Sequence, residues 1–354
     1  MEVADFLCQS IETSCTTRSG LCDNIVTFRV KLEKHLNRFF NLLQVILQLN
    51  WVDRLLNDAT KVMPNNSMLD KPQSPEETKI FLDVGEVLPI LAGSGWKGRF
   101  RVWIENILGM TRTREVFMTA ASQPEPAEAI VTGFGLRPDV LGVVESIPAE
   151  GPVIVVANHP FGGADAVTLI AICLRRRTDF RILANDVAAT APGIRQWVLP
   201  LSILGGRDSK RQNALSLRAA VDHLRGGGLL AVFPAGEVST WNSRLGRVAD
   251  KSWSPHIANL AIKARALVLP IRFFGENPPW FHLAGMIHPF ARTALILRVL
   301  LASRGCPVLC RAGSLIDPVE LDNHIDPTAY LRDQLERVEL LSPPPCDKNV
   351  NSKR

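Results

Sequence analysis

The sequence predicts an α/β fold, a mostly parallel central sheet flanked by helices, with an N-terminal helical extension. Three observations carry this. From residue 138 onward, short β-rich runs alternate with helical patterns. The runs are near-continuously apolar, as strands covered on both faces require. Finally, 354 residues with 46% hydrophobic side chains can bury a sizeable core.

Taken in order, residues 1–73 read as a helical extension and linker, closing with the polar "MPNNSMLDKPQS". Within it, "NRFFNLLQVILQLNWVDRLL" spaces Asn37, Asn41, Gln44 and Gln48 three and four residues apart, leaving a narrow polar stripe on an apolar helix. Such a helix suits docking on a core or lying in a membrane interface. "SPEE" at 74–77 is a helix start: Ser74 caps, Pro75 takes the first helical position and Glu77 completes the capping box. The main domain is expected over 74–340, and the proline-rich, polar tail 341–354 is predicted to be disordered. The strand candidates are "VLGVVES", "PVIVVAN", "FRILAN", "LLAVF", "LVLPIRFF" and "CPVLCRAG". Before "LLAVF", "RQNALSLRAAVDHL" places Leu217, Ala220, Val221 and Leu224 on one helix face, and "RGGG" ends it.

The net charge of +5 is too weak to imply nucleic acid but is compatible with anionic phosphate groups or an anionic membrane surface. Seven cysteines without a CxxC pair support neither a disulfide framework nor a zinc ribbon, so a reducing compartment and no metal are expected. The N-terminus lacks a basic region followed by an apolar one, and no run reaches about 18 apolar residues, which predicts a soluble or peripheral protein.

Ligands of open α/β sheets bind beyond the carboxyl ends of the strands. Two strand ends here are unusual: "VIVVA" runs into "NHPFGGAD", and "LLAVF" runs into "PAGEVS". If both strands share one parallel sheet, both loops emerge on the same edge. Gly162 and Gly163 allow a tight turn that brings Asp165 back to His159, and an aspartate against one imidazole nitrogen makes the other a competent general base. With no serine or cysteine beside it, that base acts on a substrate hydroxyl or amine.

"NHPFGGAD" followed about 70 residues later by "FPAGEVS" resembles the glycerolipid acyltransferase superfamily, of the lysophosphatidic acid acyltransferase type, closest to its hemolysin-like, lysophospholipid or ornithine-lipid branch. The resemblance covers roughly residues 135–315. It implies an acyltransferase in which His159 deprotonates the acceptor and Asp165 orients it. The thioester carbonyl of acyl-CoA or an acyl-carrier protein is attacked directly, with no further cofactor. The family's usual spacing between His and Asp is four residues, whereas five intervene here. In "LPLSILGGRDSKRQN", Arg207 stands where the family's phosphate-binding arginine does, with Lys210 and Arg211 following. Asn158, Gly162, Gly163, Phe233, Pro234, Gly236, Glu237 and Ser239 complete the expected substrate site. The family's glutamate before the glycine is Ala235 here, so Glu237 either replaces that carboxylate or caps a following helix. Pro270 of "LVLPIRFFGEN" matches a position that shapes the pocket wall. "FHLAGMIHPFARTALILRVLL", with His282, His288 and Arg292, is read as structural or membrane-facing, lining an acyl-chain groove or forming a core helix.

The expected function is acyl transfer to the hydroxyl of a lysophospholipid or lyso-ornithine lipid, on the inner face of a membrane facing the cytoplasm. The alternatives are a thioester or lipid hydrolase, disfavoured by the lack of a GxSxG elbow, and a non-catalytic lipid-binding membrane-associated protein. Arg175, Arg176 and Arg177 offer either a surface for an acidic carrier protein or an exposed helix end.

Overall fold

The computed structural model describes residues 94–202, 207–287 and 289–339. The polar-striped segment, the "SPEE" start, Cys8, Cys15, Cys22, Cys346, His288 and the tail lie outside the described residues. In chain order the first half comprises α1 (Trp96–Leu108), α2 (Met110–Ala121), α3 (Pro126–Phe134), β1 (Arg137–Asp139), α4 (Val143–Ser146), β2 (Val153–Ala157), α5 (Ala164–Arg176), β3 (Phe180–Asn185), α6 (Asp186–Thr190) and β4 (Val198–Leu201). The second half comprises α7 (Arg207–Arg225), β5 (Leu229–Val232), β6 (Thr240–Asn242), β7 (Arg247–Ala249), α8 (Pro255–Ala264), β8 (Leu267–Phe274), α9 (Pro279–Ile287), α10 (Pro289–Ala302), β9 (Pro307–Ala312), α11 (Pro318–Asp322) and α12 (Pro327–Glu336).

The described residues fall into two compact units, one of 94–111 with 278–287 and 289–295, the other of 112–202 and 207–277 with 296–339. In the first, α1 ends at Gly109, whose left-handed φ of 77° suits glycine. The apolar stretch after residue 280 falls in α9 and α10, with Pro289 the first residue of α10. Phe281, His282 and Arg292 are buried, and Gly285 lies beneath the Arg292 side chain.

The second unit holds a seven-stranded sheet in the order β1-β9-β8-β2-β5-β3-β4. β8, β2, β5, β3 and β4 run parallel, while β9 is antiparallel to β8 and parallel to β1. β2 is central and fully buried along "VIVVA". Ile154 and Val156 join Leu230, Val232, Val268 and residues of α7, α8 and α12 in one core. α5 packs on β3, β5 and β9, and α3 packs on α5. Burying each such aliphatic side chain contributes about 1.5–3 kcal/mol, so this layer order supplies most of the unit's stability.

Five of the six expected strands form where the apolar runs lie. "VLGVVES" does not: Val143 and Ile147, four residues apart, are both fully buried, which is a helix face and not a strand face. Gly142, at φ 71°, starts that turn, and the Ser146 hydroxyl donates to the Gly142 carbonyl at 2.7 Å. β4 and the β6–β7 hairpin carry no clear sequence signal. Pro200 sits in β4, a terminal strand of the sheet where the missing N–H is tolerated.

Candidate active site

β2 and β5 are parallel neighbours with Val156 beside Val232, so the loops that follow them leave the sheet together at its carboxyl edge. The first residue beyond β2 is Asn158. Its amide donates to the Phe273 carbonyl at 2.8 Å and its Oδ1 accepts from the Phe273 N–H at 2.7 Å, which extends the β2–β8 ladder by one side-chain rung. His159 follows. Its ring stacks on Phe233, centroids 4.0 Å apart and planes 24° apart, its N–H donates to Asp250 Oδ1 at 3.3 Å, and its carbonyl accepts from the Ser239 N–H at 2.9 Å. The imidazole keeps 14% of its surface exposed, so it is neither sealed in the core nor fully in water.

Asp165 is fully buried at the second residue of α5. Oδ2 accepts from the N–H groups of Phe161 at 2.8 Å and Gly162 at 3.3 Å, and Oδ1 from that of Ala166 at 2.8 Å. Oδ2 also lies 3.2 Å from His159 Nδ1, a buried nitrogen that makes no hydrogen bond among the described residues, so the two are in contact at ion-pair distance without hydrogen-bond alignment. The five-residue spacing closes because Gly162 takes φ 84°, where a Cβ would come within 2.7 Å of Val238. Gly163 is likewise packed against Leu300. An imidazole whose Nδ1 faces a buried carboxylate carries its proton there and leaves Nε2 to accept another.

In the second loop, the Gly236 N–H returns to the Phe233 carbonyl at 2.9 Å with Gly236 at φ 69°, and the Pro234 carbonyl accepts from Ser254 N–H at 3.0 Å. Glu237 pairs with Lys251 at 2.9 Å. It caps no helix, since β6 comes next. Ser239 is buried and its hydroxyl donates to Asp250.

Arg207 opens α7, and its side chain lies outside the described residues. Lys210 and Arg211 are exposed on the same helix. Pro270 is buried inside β8 opposite Val156, with its carbonyl accepting from Gly313 N–H at 2.8 Å. The run Arg175–Arg177 is used within the fold. Arg175 grips Glu128 with two bonds of 2.7 and 2.9 Å, Arg176 donates to the Ile147 carbonyl at 2.9 Å, and buried Arg177 ties Asp179 to the Gly151 and Gly227 carbonyls.

Asp250 is the residue the motifs did not reveal. Besides the His159 N–H and the Ser239 hydroxyl, it accepts from the Trp253 indole N–H at 3.1 Å, and so ties both loops to β7. The one local signal is an acid three residues before a tryptophan in "DKSW", which alone reads as a surface loop. Beside these loops is a cavity of about 130 Å³ whose wall includes Asn158, Ser239, Arg247, Arg272, Arg332 and Glu336. Among the described residues no cluster of His, Cys, Asp or Glu could hold a metal, and no helix is long and apolar enough to cross a membrane.

Residues 142–273, which contain both loops, match the acyltransferase family. Over this stretch the chain is similar to acyltransferases. Two similar proteins are lyso-glycine lipid O-acyltransferases. That of Phocaeicola vulgatus is 24% identical over 214 residues, 58% of this chain and 74% of that protein. That of Bacteroides thetaiotaomicron is 27% identical over 157 residues, 44% of this chain and about half of that protein, 54%. The chain is also similar to a solved structure, the 1-acyl-sn-glycerophosphate (LPA) acyltransferase PlsC from Thermotoga maritima, at 19% identity and a TM-score of 0.41, covering 64% of this chain and 78% of that one.

Proposed function

We propose that this acyltransferase moves a fatty acyl group from a thioester donor, acyl-CoA or acyl-carrier protein, to the hydroxyl of a lysolipid, with His159 as general base. The observation that carries the reading is the 3.2 Å approach of His159 Nδ1 to the buried Asp165 carboxylate at the carboxyl edge of the sheet, within the matched domain. Nε2 takes the acceptor's proton as its oxygen attacks the thioester carbonyl. The new C–O bond forms, the C–S bond breaks, and the proton passes from the imidazolium to the leaving thiolate. Asp165 stabilises the imidazolium in between.

The names of the two similar proteins favour an acceptor headed by an amino acid, alongside the lysophospholipid and lyso-ornithine classes. Arg207, at the start of α7, is proposed to meet the acceptor's charged group. A membrane surface, at which the protein works as a peripheral enzyme on the cytoplasmic face, delivers the lipid.

The test is to incubate purified protein with labelled acyl-CoA or acyl-carrier protein and a lysolipid panel, and to identify products by mass. His159→Ala is expected to lose about 10²–10⁴-fold in rate. Full transfer by that variant with its fold intact, or release of free fatty acid without any acceptor, would overturn the proposal.

A further inference from the structure

The outward face of α7, we infer, is the docking surface for an acidic acyl-carrier protein, which makes that protein the acyl donor. This rests on the thioester-donor reading above. Arg211, Arg218 and Arg225 recur every seven residues of the helix and are all exposed. Seven residues bring a helix back to within about 20° of the same face, so the three guanidiniums form one stripe, about 10.5 Å between neighbours and about 21 Å end to end. Lys210 is exposed beside the first of them. Between them stand Ala214, Ala219 and Leu215, the leucine 54% exposed.

Charge on this side of the sheet has one sign. α8 packs against α7, contains no acid, and adds exposed Lys263, with Arg265 exposed just past its end. Asp222 is the one exposed acid on either helix among the described residues. Arg175 and Arg177 are paired with Glu128 and Asp179, whereas the three stripe arginines have no partner among the described residues. Cations without acids of their own set up a field that draws in an acidic surface and orients it before contact. The length of the stripe suits a partner's helix lying alongside and exceeds the reach of a single phosphate group. Ala214 and Ala219 permit close approach, and Leu215 gives the contact an apolar centre. One leucine is too little to seat α7 in a membrane, where an interfacial helix buries a continuous apolar face. The placement also serves the reaction. α7 leads from β4 to β5, both parallel to β2, so its first turns lie at the sheet edge that carries the His159 loop. A carrier seated there brings its thioester arm to that edge.

The experiment gives the full-length protein one acyl chain carried on either acyl-carrier protein or CoA, with a single lysolipid acceptor. Arg218→Glu combined with Arg225→Gln should lower kcat/KM for the carrier-protein donor about tenfold or more and leave acyl-CoA within about twofold. Asp222→Asn should raise the carrier-protein value about two- to threefold, and added salt should weaken that donor more than acyl-CoA. Equal losses with both donors, no change with either, or a carrier protein that does not donate at all would overturn the inference. Fluorescence anisotropy of labelled acyl-carrier protein on His159→Ala separates docking from chemistry. Binding retained there and lost when the α7 substitutions are added supports the docking face, and binding indifferent to them refutes it. Loss of binding to anionic phospholipid vesicles, with carrier-protein binding unchanged, would make the stripe a membrane contact and refute it as well. Should His159→Ala still transfer at the full rate, the general-base reading falls, and the binding result alone decides the docking face.

Discussion

A carboxylate shut away from water costs several kcal/mol unless hydrogen bonds replace its hydration. Asp165 has three backbone N–H groups for this purpose, and His159 beside them. Asp165→Asn turns an NH₂ toward N–H donors whichever way the amide is flipped. It is expected to cost about 1–3 kcal/mol, read as a lower denaturation midpoint, and to depress activity along with stability. Asp250→Asn meets the same conflict at Trp253 or at the histidine loop. Because its contact is with the backbone of that loop, kcat should fall by more than KM rises in steady-state kinetics. His159 and Asp165 were legible in the sequence because a polar loop with paired glycines interrupts a buried strand. Asp250 was not, because its bond to His159 joins positions 91 residues apart and leaves no local pattern.

The turn between β2 and α5 works only with glycine at 162. Gly162→Ala forces a side chain into a left-handed backbone and within 2.7 Å of Val238, and should destabilise the protein by about 1–3 kcal/mol in a urea titration. Adding Val238→Ala should recover the steric part and leave the dihedral part. On the neighbouring connection, Asp179 is held below the usual aspartate range, chiefly by its hydrogen bonds from Arg177. A depressed folded pKa gives stability that is present above the unfolded value near 4 and is lost as pH falls through the lower folded one. Asp179→Asn should therefore flatten the acid limb of a stability–pH curve and matter least at acid extremes. Elements were read correctly where apolar runs were long and bounded by glycine or proline. The short run 140–146 carries too few residues to separate a period of two from 3.6, and β4 hides behind Pro200.

Across the whole molecule, the sheet's two-sided burial also governs its thiols. Cys310 is pushed up to about 12 by burial and by Asp139, against the opposing effect of Arg311, and Cys173 is pushed up further, by burial first and then by Cys310. Cys306 is exposed. Alkylation of the native protein near pH 8 followed by peptide mapping should mark Cys306 and spare Cys173 and Cys310 until urea is added. The parallel sheet was legible from unbroken apolar runs, whereas the strand order was not, since only long-range pairing sets it. That order has a temporal consequence. The partner of Asn158, Phe273, comes 115 residues later in the chain. At about 5–20 residues per second of translation, the histidine loop waits roughly 6–23 s on the ribosome before its clamp has even been synthesised. Until then "VIVVA" lacks its β8 neighbour even after β5 has emerged, and chaperones have that interval in which to shield the open side.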